Sequence, residues 1–205
     1  MNDKCFGSGE KNLPNCECRE IFERLNCMTV LLDSSGNVPH RDIVLQTRLR
    51  NHIDNTQPWH YADFEWKQLD TEPRKWEPFG AIRVNDVCPV YNCHGLTFAS
   101  RRTEVDSGQT TIAMILNDDG FEEVSERDAK IGNVIVYYDE NGSPEHSGIM
   151  VERRQGAGID MPIIWSKWGK GYEVVHPMTA CLWGAMKKRF YRITKWKYQD
   201  VFGQR

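Results

Sequence analysis

Cys93 lies in the run Tyr91-Asn92-Cys93-His94-Gly95-Leu96-Thr97, and a helix is expected to begin after Asn92 and to continue through Leu96, Ala99 and Ser100. Backbone N–H groups left free at a helix start stabilise a thiolate, so a cysteine there is a candidate nucleophile. Gly95 would let another backbone or a substrate come close. Such a thiol needs a base. His94 is a poor one, because consecutive helical side chains diverge by about 100°, and it reads as a wall of the site or a surface imidazole. His146 opens the stretch His146-Ser147-Gly148-Ile149-Met150-Val151 just after an Asn141-Gly142 turn, where an imidazole can face a helix terminus. Cys93 and His146 together would form an acyl-transfer pair. The competing reading is that cysteine is among the most buried residue types, which suits Cys88 and Cys181, both without a partner motif.

Those residues require elements to position them. In the second half, Thr110–Leu116 reads as a helix ended by Asn117-Asp118-Asp119-Gly120, with a short extended segment from Val124. Strands are expected at 133–138, 146–152, 163–166, 172–176 and 189–194, separated by turn-forming residues, so the meander is antiparallel. Alternation along Ile163-Ile164-Trp165-Ser166-Lys167 sets Ile164 and Ser166 on one face and Trp165 and Lys167 on the other. In the first half, apolar residues at three- and four-residue spacing predict a helix over 17–30, and Leu45, Leu49 and Ile53 predict a second over 41–53. Residues 54–80 show neither period cleanly. Trp59, Trp66, Trp76, Trp165 and Trp168 read as packing residues. Helices followed by a run of strands indicate an α+β domain, with a boundary expected near residue 80: an N-terminal extension, 1–80, and a catalytic domain, 81–205.

Composition bounds the alternatives. The 205 residues suffice to bury a core without staples, and 40% hydrophobic with seven Trp is the composition of a folded chain. A net charge of -3 gives no basic excess for holding a phosphate backbone, so nucleic acid is not an expected partner. Lys187-Lys188-Arg189 reads as a solvated surface run. No stretch approaches a membrane span, and MNDKCFGSGEKN lacks the apolar centre of an export signal. Seven cysteines without such a signal fit reduced thiols and a cytoplasmic setting.

Asn92-Cys93-His94-Gly95-Leu96 resembles the D-C-S-G-L motif of the NlpC/P60 and CHAP branches of the papain-like cysteine peptidases and amidases. Gly132-Asn133-Val134-Ile135-Val136-Tyr137-Tyr138 followed by His146-Ser147-Gly148-Ile149 resembles their G-D-hydrophobic strand and H-V-G-I motif. The resemblance covers roughly residues 90–176, with Asn for Asp at 92 and 133 and His for Ser at 94. It implies a papain-like fold in which a helix-borne Cys93 packs on a small antiparallel sheet, with His146 as base and a polar third residue on the next strand. Ser166 takes that place, with His176 as the alternative; Tyr91 would bring a hydroxyl to the site or pack against it. The implied activity is amide-bond hydrolysis of a peptide or protein through an acyl-enzyme, with no cofactor in catalysis. Two alternatives stand beside it: a glutamine deamidase or transglutaminase acting on a protein, and a binding module on a degenerate peptidase fold.

At the N-terminus, Cys5-Phe6-Gly7-Ser8-Gly9-Glu10-Lys11 followed by Cys16-Glu17-Cys18 resembles the zinc-binding SEC-C motif. A tetrahedral zinc wants four ligands, and Cys5, Cys16 and Cys18 supply three. Cys27, nine residues beyond Cys18, would point away on a continuous helix. A thiol-bearing tail is the alternative.

Overall fold

Val134-Ile135-Val136-Tyr137-Tyr138 carries β-branched or aromatic side chains at every position, so a strand built from it needs cover on both faces. In the computed structural model, which describes residues 43–57, 71–156 and 158–194, this run forms β5 (Val134–Tyr138) inside a seven-stranded antiparallel sheet. The other strands are β2 (Ile82–Arg83), β4 (Phe121–Val124), β6 (Pro144–Gly156), β7 (Ile159–Lys167), β8 (Glu173–Pro177) and β9 (Lys187–Ile193), in the order β2-β8-β7-β6-β5-β9-β4. The meander β5 to β8 follows the sequence expectation, and β9 returns to pair with β5. The fold is α+β.

One face of the sheet carries Ile135, Tyr137, Met150, Ile164, Val174 and Phe190, closed over by Trp168, Met178 and Cys181. The opposite face carries Val134, Val136 and Tyr191 and packs on Ala99, Val105, Ile112 and Ile115. The last four come from α2 (Cys93–Ala99), β3 (Glu104–Val105) and α3 (Gln109–Asp118). Ile112, Ile115 and Leu116 lie on the buried side of α3 at three- and four-residue spacing; each side chain so buried contributes about 1.5–3 kcal/mol. β3 pairs with β1 (Asn55–Thr56) in a separate two-stranded sheet.

Two expectations are corrected here. Residues 43–53 form a tight reversal: Ile53 N–H donates to the Leu45 carbonyl (2.9 Å), Thr47 N–H to Asn51 (2.9 Å), and Arg50 adopts φ 67° at the turn. Leu45 and Ile53 meet across it and are buried, while Leu49 at its tip is exposed. The four-residue spacing that mimics a helix is the symmetry of a chain folded back around residue 49. The boundary near residue 80 also gives way. Leu45 and Ile53 belong to the same core as Ile112 and Val134, and the described residues all lie within one compact unit, His40–Arg205. Residues 54–80, expected to be irregular, contain β1, α1 (Thr71–Trp76) and a 3-10 turn, Glu77–Phe79. The helix over 17–30, Cys5, Cys16, Cys18, Cys27, Trp59 and Trp66 lie outside the described residues.

Candidate functional site

α2 begins at Cys93 because Asn92 caps it. Its side-chain Oδ1 accepts from Gly95 N–H at 2.8 Å and its Nδ2 donates to the Val105 carbonyl at 2.8 Å, which fastens the helix start to β3. Gly95 is required there, since a Cβ would lie 2.0 Å from the Thr103 carbonyl oxygen. The helix ends in two left-handed residues, Ser100 (φ 49°) and Arg101 (φ 64°). Neither is glycine, and the strain turns Arg101 back toward β8.

Cys93 is 7% exposed. Burial pushes the thiol up to about 11, and the neighbouring backbone of Ser147, His94 and Cys93 itself offsets only part of that rise. His94, expected at a wall or a surface, is fully buried. Ser147 Oγ donates to Thr97 Oγ1 (2.9 Å) and Thr97 donates to the Cys93 carbonyl (2.9 Å), so the contact between His94 Nδ1 and Ser147 Oγ (2.9 Å) has the imidazole as donor. His94 Nε2 is buried without a hydrogen-bond partner, and burial lowers the ring to about 4.

His146 is not at this site. On β6, Ser147 stands opposite Val136 and His146 opposite Tyr137, so Ser147 faces α2 and His146 faces away from it. The imidazole stacks on Trp183 at 3.7 Å between centroids and 5° between planes, and against Tyr137 at 5.3 Å. It is fully buried, and neither ring nitrogen has a hydrogen-bond partner. Burial first, then the neighbouring His176 and His94, hold its pKa well below the ordinary imidazole value.

Ser166 and His176 accompany His146 on that second face. His176 Nδ1–H donates to the Pro177 carbonyl (2.9 Å), so Ser166 donates to Nε2 (2.9 Å) while accepting from Trp168 Nε1 (3.2 Å). Burial lowers His176 to about 4. The structure therefore brings Ser166 and His176 together with each other, and neither with Cys93. Cys181 is buried as expected for a core thiol; Cys88 is half-buried.

What accompanies Cys93 on the α2 face is a set centred on Glu173, of which the sequence pointed only to Tyr91 as a neighbour of the site and to Trp165 as a packing residue. Glu173, fully buried, accepts from Tyr91 Oη (2.6 Å), Arg101 Nε (2.6 Å), Asn85 Nδ2 (2.6 Å) and Trp165 Nε1 (3.0 Å). Burial raises its carboxyl, but Arg101, Tyr91 and Asn85 together hold it below the usual range. Arg101 also lies over the Trp165 ring at 4.5 Å. Lys167, opposite Glu173 on β7, is fully buried and lies over the Tyr91 ring at 4.6 Å. A lysine inside Ile163-Ile164-Trp165-Ser166-Lys167-Trp168, with a glutamate on the next strand, is the sequence signal that could have found this cluster.

No family model, curated protein or solved structure matches this chain. The chemistry is therefore read from the geometry alone. Among the described residues there is no His, Cys, Asp and Glu cluster that could hold a metal, and no helix long and apolar enough to cross a membrane.

Proposed function

We propose that this chain is a thiol-dependent acyl-transfer enzyme on a papain-like, NlpC/P60- or CHAP-type fold, cleaving an amide bond of a peptide or protein with Cys93 as nucleophile. The observation that carries the reading is the setting of Cys93, at the first residue of a helix capped by Asn92 and laid on an antiparallel sheet. Backbone N–H groups at a helix start stabilise a thiolate and, after attack, the oxyanion that forms beside it. The mechanism differs from the sequence expectation in its base. His146 lies across the sheet, so the Cys93 proton goes elsewhere. Release of the acyl group by water gives a peptidase or amidase, release of ammonia from an intact glutamine side chain a deamidase, and release by an amine a transferase.

The burial of Cys93 favours a second reading, a binding module that keeps the fold and has lost turnover. An activated ester separates the two. Incubation with p-nitrophenyl acetate should leave an acetyl group on Cys93, found by peptide mass spectrometry, with nitrophenol release lost in Cys93→Ala. Nitrophenol release unchanged by that substitution, with no adduct at Cys93, leaves the binding module.

A further inference from the structure

Between β4, the 125–130 connection, β6 and β9 the surface opens into a cleft of about 600 Å3. Its lining is mostly polar. The apolar residues in it, Val124 and Ala129, belong to the core on the sheet face away from α2, so the cleft is separate from the Cys93 site. Arg153 shapes it. Its largely buried guanidinium donates through Nη1 to both carboxylate oxygens of Asp160 (2.8 Å each) and through Nη2 to the Glu126 and Ala129 carbonyls, which pins the connection to β6. Ser125 holds the start of the connection, its Oγ donating to Asp128 Oδ2 (2.6 Å) and accepting from Asp128 N–H (3.2 Å). The charges around this rigid frame do not balance. Asp160 neutralises Arg153, and Glu123 is paired with Arg189 (3.2 Å). Among the described residues Arg127, Lys130 and Arg192 have no ion-pair partner; Arg192 makes none even with Glu122, its cross-strand neighbour on β4. Asp128 is the lining carboxylate left to set against the three cations, so the lining carries an excess of two positive charges in a chain whose net charge is -3.

We propose that this cleft binds a small phosphate-bearing anion, held by Arg127, Lys130 and Arg192. Cations of one sign gathered around a concave surface concentrate their field inside it and draw in a counter-charge, and a phosphate group supplies the two negative charges that the lining lacks. The three cations come from separate places in the chain, a 3-10 turn, the loop before β5 and strand β9. A planar carboxylate is satisfied by the fork of a single guanidinium, whereas phosphate oxygens project in several directions and can be met from several sides at once, by arginine forks and by a lysine acting as a point charge. The sparse apolar lining leaves little for a mainly apolar ligand to bury. The cleft is large enough for a phosphorylated small molecule, falling within the usual range for such sites of roughly 300–1,000 Å3.

The test is isothermal titration calorimetry of the full-length protein with inorganic pyrophosphate, at about physiological salt so that loosely held surface charges are screened. Wild type should show one saturable site. Lys130→Gln and Arg192→Gln should each weaken it at least about fivefold, because each removes a charge-assisted contact. Lys130 is exposed, so its substitution leaves the fold intact and keeps the test valid should Arg192→Gln lower the melting temperature. Arg154→Gln, an exposed change on β6 outside the lining, should bind within about twofold of wild type. Citrate, which offers carboxylates in place of phosphates, should bind at least about tenfold more weakly than pyrophosphate. No saturation at millimolar pyrophosphate overturns the proposal. Arg154→Gln weakening the binding as much as Lys130→Gln also overturns it, by showing attraction to surface charge in general. Citrate binding as tightly as pyrophosphate overturns the assignment of phosphate as the ligand chemistry.

Discussion

Lowering the pH from 6.5 to 4.5 should cost the folded state about 6 kcal/mol, comparable to the entire stability of an ordinary domain. His94, His146 and His176 are each fully buried, and burial is the first cause of the lowered pKa of each: about 4 for His94 and His176, and well below the ordinary value for His146. In the unfolded chain all three titrate near 6.5. Between about pH 4 and 6.5 the unfolded state binds up to three more protons than the folded state, so stability is complete above the unfolded pKa and falls as the pH drops, by up to about 4 kcal/mol per pH unit. Urea unfolding at a series of pH values measures this slope. His146→Phe should reduce it by roughly a third and raise stability at pH 7.5, because it retains the stack on Trp183 and removes two buried nitrogens that have no partner. A slope of one proton or less would mean that these imidazoles are hydrated or hydrogen-bonded in the folded protein.

Glu173→Ala should be the most damaging single substitution at the candidate site, at about 3–5 kcal/mol. Glu173 is the common acceptor for Tyr91, Arg101, Asn85 and Trp165, and its loss leaves those donors facing one another around a cavity. Adding Arg101→Met should recover part of that loss, since it removes the guanidinium that Glu173 neutralises. Chemical denaturation of the two single variants and the double variant closes the cycle. If Glu173→Ala loses less than 1 kcal/mol, water replaces the carboxylate and the cluster does not organise this face.

The sequence made the element types legible more readily than the faces they present. Val134–Tyr138, with its unbroken apolar run, and Cys93, after the capping Asn92, were readable because local chemistry decides both. The position of His146 was not. Alternation correctly separates Ser166 from Lys167, and His146 from Ser147, but it does not say which set faces α2. In a half-exposed sheet the apolar residues would mark the inner face. Here Pro144, His146, Ser147, Gly148 and Met150 are all buried, because α2 and α3 cover one side and the 178–186 connection the other. A register irregularity compounds this, since Tyr137 pairs with His146 while Tyr138 pairs with Pro144, leaving Glu145 as the extra residue just before the histidine. The reversal around residue 49 failed for another reason: a hairpin centred on Leu49, with Leu45 and Ile53 four residues to either side, gives the same intervals as a helix.

With Cys93 as the proposed nucleophile and His146 across the sheet from it, the reactivity of the thiol should not depend on His146. One measurement tests it most directly: the rate at which a peptide-like chloromethyl ketone labels Cys93 at pH 7.5, compared between wild type and His146→Phe at matched folded fraction. Covalent labelling confined to Cys93 is expected, at rates within about twofold of each other, because the imidazole lies on the opposite face of the sheet, against Trp183. A His146→Phe rate reduced a hundredfold or more in folded protein would contradict it, and would return the base to His146.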